Sequence, residues 1–434
     1  MLSKLTQLIS FLKNNVRLSD VVKLLLLALL KVMPPFGLLI ISLYMVEVLT
    51  PSGYGSYAIV FNSILFMGSI LTVGLSNTLL RKISVASAKG NMKKADKLFS
   101  ASLFICSSVS VFSGLIYYLA RNLFDFNNNF IDLVYMSPLL AISLIVASRV
   151  RGMNSPVLGQ ALEANFRLCL MVVFGIFFAF SNIRDSFIQE VYVITGGMML
   201  AALYCLGGLN GSSFKLQFDY RYLAAIVRNA LPNFLIILVQ ALKNHGDIFV
   251  VALFLGTSEV GEYAIALQLA LISSIAPMII SLLFNRPLAV ELHAENYSRV
   301  RQYFLYNVFA SVAASTLYLL IIATLLPDIL GIFVATEFEY VHSLTIILCV
   351  GRIIHAGVGP VMQILILSNQ QSVASKVSGI IAVVNLMLVV IFVNMLGVHG
   401  AALSTAMMLV AWALSLRYAV RANIPSLDIS MRVP

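Results

Sequence analysis

Charge is what this 434-residue chain has least of. Only 11% of its residues are charged, against 60% hydrophobic. A soluble domain carries about 25% charged residues, so the material for a polar skin is missing. Acids are scarcer than bases: 18 Asp and Glu stand against 28 Lys and Arg, a net charge of +10. Cysteine occurs four times, as Cys106, Cys169, Cys205 and Cys349, each inside an apolar run and none in a C-x-x-C pair. That excludes a cysteine metal centre or a disulfide framework as the basis of the fold. No polar stretch is long enough for a separate soluble domain. No alternation of apolar and polar residues runs over about ten positions, so a membrane barrel is not indicated either. Residues 1–20 are polar and mildly amphipathic through Leu5, Leu8, Ile9 and Leu12. They do not read as a cleavable signal.

What is present is a series of apolar runs, each about 20 residues and so long enough to cross hydrocarbon as a helix. Twelve spans are expected, at 22–46, 56–80, 98–120, 132–150, 164–181, 187–208, 231–255, 262–285, 303–326, 341–367, 378–396 and 401–420. The bases sort by loop. They cluster in 1–23, 81–97, 149–167, 215–228, 286–301, 368–377 and 417–434. Of the bases outside these clusters, Arg121 and Arg184 fall in the alternate loops, and Lys31, Lys243 and Arg352 lie deep inside the runs. Basic loops stay on the cytoplasmic side. The alternation therefore predicts an even number of crossings with both termini cytoplasmic. A basic soluble protein would suggest nucleic acid. Here the excess sets topology and meets anionic membrane lipids, so no nucleic-acid partner is expected.

An internal repeat divides the chain. LTPSGYGSYAI at 49–59 returns as LGTSEVGEYAI at 255–265, with G-x-Y-A-I in common. Each copy lies between the first and second spans of a six-helix half, and both halves start on the same side. They are expected to be parallel repeats about an axis along the membrane normal. The predicted organisation is a cytoplasmic segment 1–21, a lobe 22–208, a cytoplasmic linker 209–230, a lobe 231–420 and a tail 421–434. The repeated glycine is expected to serve a sharp turn, where positive φ costs glycine nothing. Pro34, Pro35, Pro138, Pro232, Pro277 and Pro360 lie in or at the ends of spans, where a proline frees a carbonyl and kinks a helix.

Three stretches carry a resemblance: LTPSGYGSYAIV after the first span, LPNFLIILVQALKNHGDIFVVALFLGTSEVGEYAIALQL in the second half, and GVHGAALSTAMML before the last span. Together they resemble the polysaccharide-transporter branch of the MATE-like (MOP) flippase superfamily, most of all Wzx-type O-antigen flippases, over about residues 20–420. The resemblance implies two six-helix lobes around a central cavity that opens alternately to each side. It implies a multi-pass protein of the bacterial inner membrane. The implied cargo is an undecaprenyl-diphosphate-linked oligosaccharide moved between leaflets, with other glycan-assembly membrane proteins as partners.

A flippase breaks no bonds, so neither a nucleophile nor a cofactor is sought. It needs a polar path through about 30 Å of hydrocarbon. A charge at mid-depth costs about 2.5–3.5 kcal/mol, so it normally faces a cavity or a partner. Span seven holds Gln240, Lys243, Asn244, His245 and Asp247. Lys243 and Asp247 share a face, either as a cavity-lining phosphate contact beside a candidate ion-coupling site, or as a pair that neutralises itself. Span ten holds Arg352 and His355, with Gly351, Gly357 and Gly359 around them. Arg352 is read as a fork on phosphate oxygens or as an inter-lobe partner of Asp247. His355 either joins that site or bonds across helices. Lys31, roughly 10 Å inside the first span, is a cavity cation or a snorkelling anchor. Arg81, Arg149 and Arg286 at cytoplasmic helix ends are candidate entrance contacts, with lipid anchoring as the plainer reading. Tyr57 and Tyr263 are candidates for stacking on sugars. Two other functions compete. A multidrug or cation antiporter would show acids outnumbering bases in the cavity. A membrane glycan polymerase or ligase would show a large outer loop with arginines, whereas 327–340 holds Asp328, Glu337 and Glu339 and no base.

Overall fold

The computed structural model describes residues 51–124, 137–153, 220–333, 338–368 and 370–424, with scattered positions at 32–46, 158–162 and 427. All regular structure among them is helical. The helices are α1 (Pro51–Leu71), α2 (Leu75–Ala88), α3 (Met92–Phe124), α4 (Ser137–Gly152), α5 (Tyr220–Phe254), α6 (Thr257–Ile272), α7 (Ile275–His293), α8 (Tyr297–Phe333), α9 (Val341–Val358), α10 (Val361–Leu367) and α11 (Gln371–Asn423). Seven helices among the described residues are long and apolar enough to cross a membrane. Nine of the expected spans fall on this set. Span 22–46 is described only in part, and 164–181 and 187–208 lie outside the described residues. Helix is the form expected where no water is at hand for backbone groups.

The last helix is two spans in one. Gly397, at φ 60° and ψ −140°, breaks α11, and its arms run back along each other. Ser404 Oγ donates to Asn385 Oδ1 at 3.3 Å, and Trp412 Nε1 to Ser378 Oγ at 2.9 Å. The tight return requires glycine at 400, where a Cβ would lie 1.9 Å from Phe392 O. Elsewhere, helices overrun the expected windows. Helix α5 begins at Tyr220, well before 231, and its first turns pack on α2 and α3 rather than forming a linker. Hydropathy marks the hydrocarbon slab, and a helix has no reason to stop at its edge.

Three expected spans are interrupted, and proline chemistry explains two of the breaks. Span 262–285 splits at Ser273–Ser274 into α6 and α7. Pro277 has no N–H for the carbonyl four residues back, which is Ser273 O, and Ser315 Oγ of α8 donates to that oxygen at 3.1 Å. Span 341–367 splits at Gly359 (φ 88°) and Pro360 into α9 and α10, and Gly359 N–H takes the freed Ala356 O at 3.1 Å. Within α8 the same rule applies without a break: Pro327 frees Ala323 O, and His342 Nε2 lies 3.3 Å from it. Span 56–80 splits differently, at Thr72–Gly74. Gly74 (φ 73°) presses on α5, with a Cβ position 2.4 Å from Phe234 N.

The repeat is also a contact. Helices α1 and α6 start at the matching residues Pro51 and Thr257 and cross at the matching residues Gly55 and Gly261. A Cβ on Gly55 would lie 1.6 Å from Thr257 O, and one on Gly261 would lie 2.5 Å from Pro51 O. The contact is reciprocal, as a two-fold relation requires. This corrects the expected reason for the glycine. It sits inside a helix and permits backbone to meet backbone; the positive φ falls at Gly256 instead. Tyr57 and Tyr263 are both buried beside this crossing, so neither offers a face to a sugar.

Apolar packing divides along the helix axes. At the end away from the basic loops, one shared core joins α1, α4, α5, α6, α8, α9 and α11. At the basic end there are two cores. One is built from α1 to α5 and the other from α7 to α11, with no helix in common.

Candidate functional site

The deep charges converge between α5, α9 and the second arm of α11, and small residues let these helices approach. A Cβ on Gly246 of α5 would lie 2.7 Å from Leu386 Cδ2 on the first arm of α11. A Cβ on Gly351 of α9 would lie 2.6 Å from Ala406 Cβ on the second arm. Gly351 thus permits close helix approach, while Gly357 meets nothing nearer than 3.7 Å.

Lys243 does not pair with Asp247. Its Nζ lies over the ring of Trp412, 3.9 Å from the centroid. The His355 ring is parallel to the same indole, with centroids 5.4 Å apart and planes within 3°. The indole is fixed at its other edge by the bond to Ser378. One turn along α9 from His355, Arg352 donates from Nη1 to Ser274 Oγ at 2.9 Å, at the break between α6 and α7. Arg352 Nε is buried and has no hydrogen-bond partner among the described residues. Lys243 and His355 thus meet on one indole, with Arg352 one turn from His355 on α9. Neither Lys243 nor Arg352 makes an ion pair among the described residues.

Asp247 is held by neutral donors instead. Its Oδ1 accepts the Ile248 N–H at 2.9 Å. Its Oδ2 accepts the Tyr263 hydroxyl at 2.8 Å and the Thr405 hydroxyl at 3.4 Å. The carboxylate is 5% exposed. Both expected neutralising pairs, Lys243–Asp247 and Arg352–Asp247, are therefore absent, because hydroxyls from α6 and α11 occupy the acid. Gln240 and Asn244 are exposed on α5. His245 Nδ1 lies 2.8 Å from Asn62 Oδ1 of α1, tying α5 to the first half.

The entrance candidates fare differently. Arg81 is exposed on α2. Arg149 is buried: it donates to Asp96 Oδ1 at 2.7 Å and lies over the Phe99 ring at 4.4 Å. A guanidinium held by a carboxylate and an aromatic face is not open to an incoming headgroup, so Arg149 is a packing residue. Lys31 and the side chain of Arg286 lie outside the described residues.

Sequence reasoning passed over Trp412, Ser274 and Thr405, and it assigned Tyr263 to the wrong task. One signal was available for Trp412: it is the chain's single tryptophan, set in mid-span rather than at an interface where tryptophan usually collects.

No family model matches the chain, and no curated protein matches it. Solved structures do. A lipid II flippase, MurJ, in an inward closed conformation superposes with a TM-score of 0.72 at 13% identity, covering 92% of this chain and 87% of that one. A multidrug-resistance MATE-family transporter of the MOP superfamily in an inward-facing conformation gives 0.69 at 14% identity, covering 93% of this chain and 100% of that one. A MOP-superfamily transporter from Pyrococcus furiosus, described by a reversed polarity of its binding pocket, gives 0.60 at 14% identity, covering 95% and 97%. Likeness over nine-tenths of the chain at such low identity is likeness of architecture. The chain is a multi-span helical membrane protein with the fold of the MOP-superfamily transporters.

Proposed function

We propose that the chain is a flippase for an undecaprenyl-diphosphate-linked oligosaccharide, of O-antigen repeat-unit type, in the bacterial inner membrane. Twelve helices in two parallel lobes, 22–208 and 231–420, with cytoplasmic termini, would present a central site to one leaflet and then the other. No covalent chemistry is involved. The observation that carries this reading is that Lys243 and Arg352 share one deep cluster and neither meets a carboxylate among the described residues. Each costs about 2.5–3.5 kcal/mol at mid-depth. Two unneutralised cations there suit a ligand that brings its own negative charge across. A diphosphate does so, and arginine can fork onto its oxygens. The description of one structural neighbour as a lipid II flippase supports a lipid-linked cargo.

A multidrug or cation antiporter is the second reading, supported by the names of the MATE neighbours. The balance of charge opposes it. A cation would meet two bases, and the single acid beside them among the described residues is already taken by hydroxyls. Against a glycan polymerase or ligase, the longest expected outer loop, 327–340, carries no base. In a strain that displays the glycan, Lys243→Ala and Arg352→Ala should each abolish surface display at normal protein level. Full display in both variants would remove these residues from the transport path. Asp247 is the candidate for ion coupling; flipping that continues after both proton and sodium gradients are collapsed would discard that role.

A further inference from the structure

Lys243 sits one helical turn from Asp247, the spacing at which lysine and a carboxylate on one helix normally pair. It points to an indole instead. We infer that Trp412 is a positioning residue whose ring keeps the Lys243 ammonium off Asp247 and so available to a diphosphate. The inference rests on reading this cluster as the diphosphate site.

The two alternatives for Lys243 differ in what they leave behind. A carboxylate would cancel its charge, and a phosphate would then have to break an ion pair in a low-dielectric interior. An aromatic face attracts the cation without cancelling it. The contact is weaker than a charge-assisted bond to phosphate oxygen. It therefore stores the charge in a state that an anion can draw off. The platform is rigid enough for this task. Its N–H is tied to Ser378 across the α11 arms, and its plane is stacked on His355 of α9. The other half of the arrangement is Asp247, whose oxygens are engaged by Tyr263, Thr405 and the Ile248 N–H. Acid and base on one helix face are thus kept apart by separate neighbours. Because Lys243 and His355 both meet the chain's only tryptophan, intrinsic fluorescence reads the site directly.

The test is calorimetric binding of farnesyl diphosphate to the purified full-length protein in detergent, with wild type, Trp412→Phe, Trp412→Leu, Asp247→Asn and the Trp412→Leu/Asp247→Asn pair. Phenylalanine keeps a ring, so Trp412→Phe should bind within about threefold of wild type. Trp412→Leu should bind about tenfold more weakly, because Lys243 then pairs with Asp247 and the diphosphate must break that pair. Neutralising the competing acid in Trp412→Leu/Asp247→Asn should restore most of the loss. In wild type, indole emission should change saturably with the same midpoint as the heat. The inference is overturned if Trp412→Leu binds like wild type, if Trp412→Phe loses as much as Trp412→Leu, or if Asp247→Asn restores nothing. Should Trp412→Leu not fold, the wild type decides: heat of binding with unchanged indole emission overturns it. Wild type that binds no diphosphate at all overturns the reading of the site, and this inference with it.

Discussion

Single residues in this protein take their meaning from which neighbour reaches them first. Lys243, Arg352 and Asp247 were legible in the sequence because a charge inside an apolar run stands out from its surroundings. Their partners were not, because each partner lies on a different helix. Arg149 shows the consequence in reverse. As a base at the cytoplasmic end of a span it resembled Arg81, yet it is buried against Asp96 and Phe99 while Arg81 is exposed. Arg149→Ala should lower stability by about 1–3 kcal/mol, between the exposed and buried limits for an ion pair. It should leave farnesyl diphosphate affinity unchanged. A thermal melt beside a binding titration checks both halves, and a loss of affinity at unchanged stability would return Arg149 to the entrance.

Among the helices, the repeat and the prolines each left a mark in the sequence whose structural use was only partly readable. G-x-Y-A-I announced that two segments are equivalent, but not that they touch. The α1–α6 crossing now gives Gly55 and Gly261 a reason that no turn propensity supplies. Gly55→Val should push the two helices apart, since even a Cβ there falls 1.6 Å from Thr257 O. The cost should reach or exceed the roughly 1–3 kcal/mol typical of overpacking. Melting of the purified variant measures it, and an unchanged midpoint would mean that the crossing is not a packed contact. Pro277 was recognised as a place where a carbonyl is freed, whereas Pro327 fell at the start of an expected loop and lies inside α8. That Ser315 and His342 come from other helices to meet Ser273 O and Ala323 O is a matter of packing.

For the whole molecule, the three apolar cores define how the halves meet. Among the described residues one core joins both halves at the end without bases, while at the basic end α1–α5 and α7–α11 form two cores with no helix in common. Separate cores can move apart, or stay apart, without exposing a common interior. On the proposed function, a passage between these two cores would open toward the basic loops. In a cysteine-free background, Asn244→Cys, exposed on α5 beside the cation cluster, should react with a membrane-impermeant maleimide applied from the basic-loop face and be protected from the other. Labelling from the opposite face alone would reverse the assignment.

Composition alone determined that this chain crosses a membrane as helices and which cations lie inside the apolar runs, and charge order supplied the expected sidedness of the loops. Those properties are local: the free energy of placing a residue in hydrocarbon depends on that residue and its near neighbours in the chain. Only the tertiary structure decided that Lys243 meets an indole rather than an acid, that Asp247 is held by hydroxyls, and that the repeated glycines meet each other. Each of these is a competition between partners from distant segments, settled by which helices can come close enough to touch.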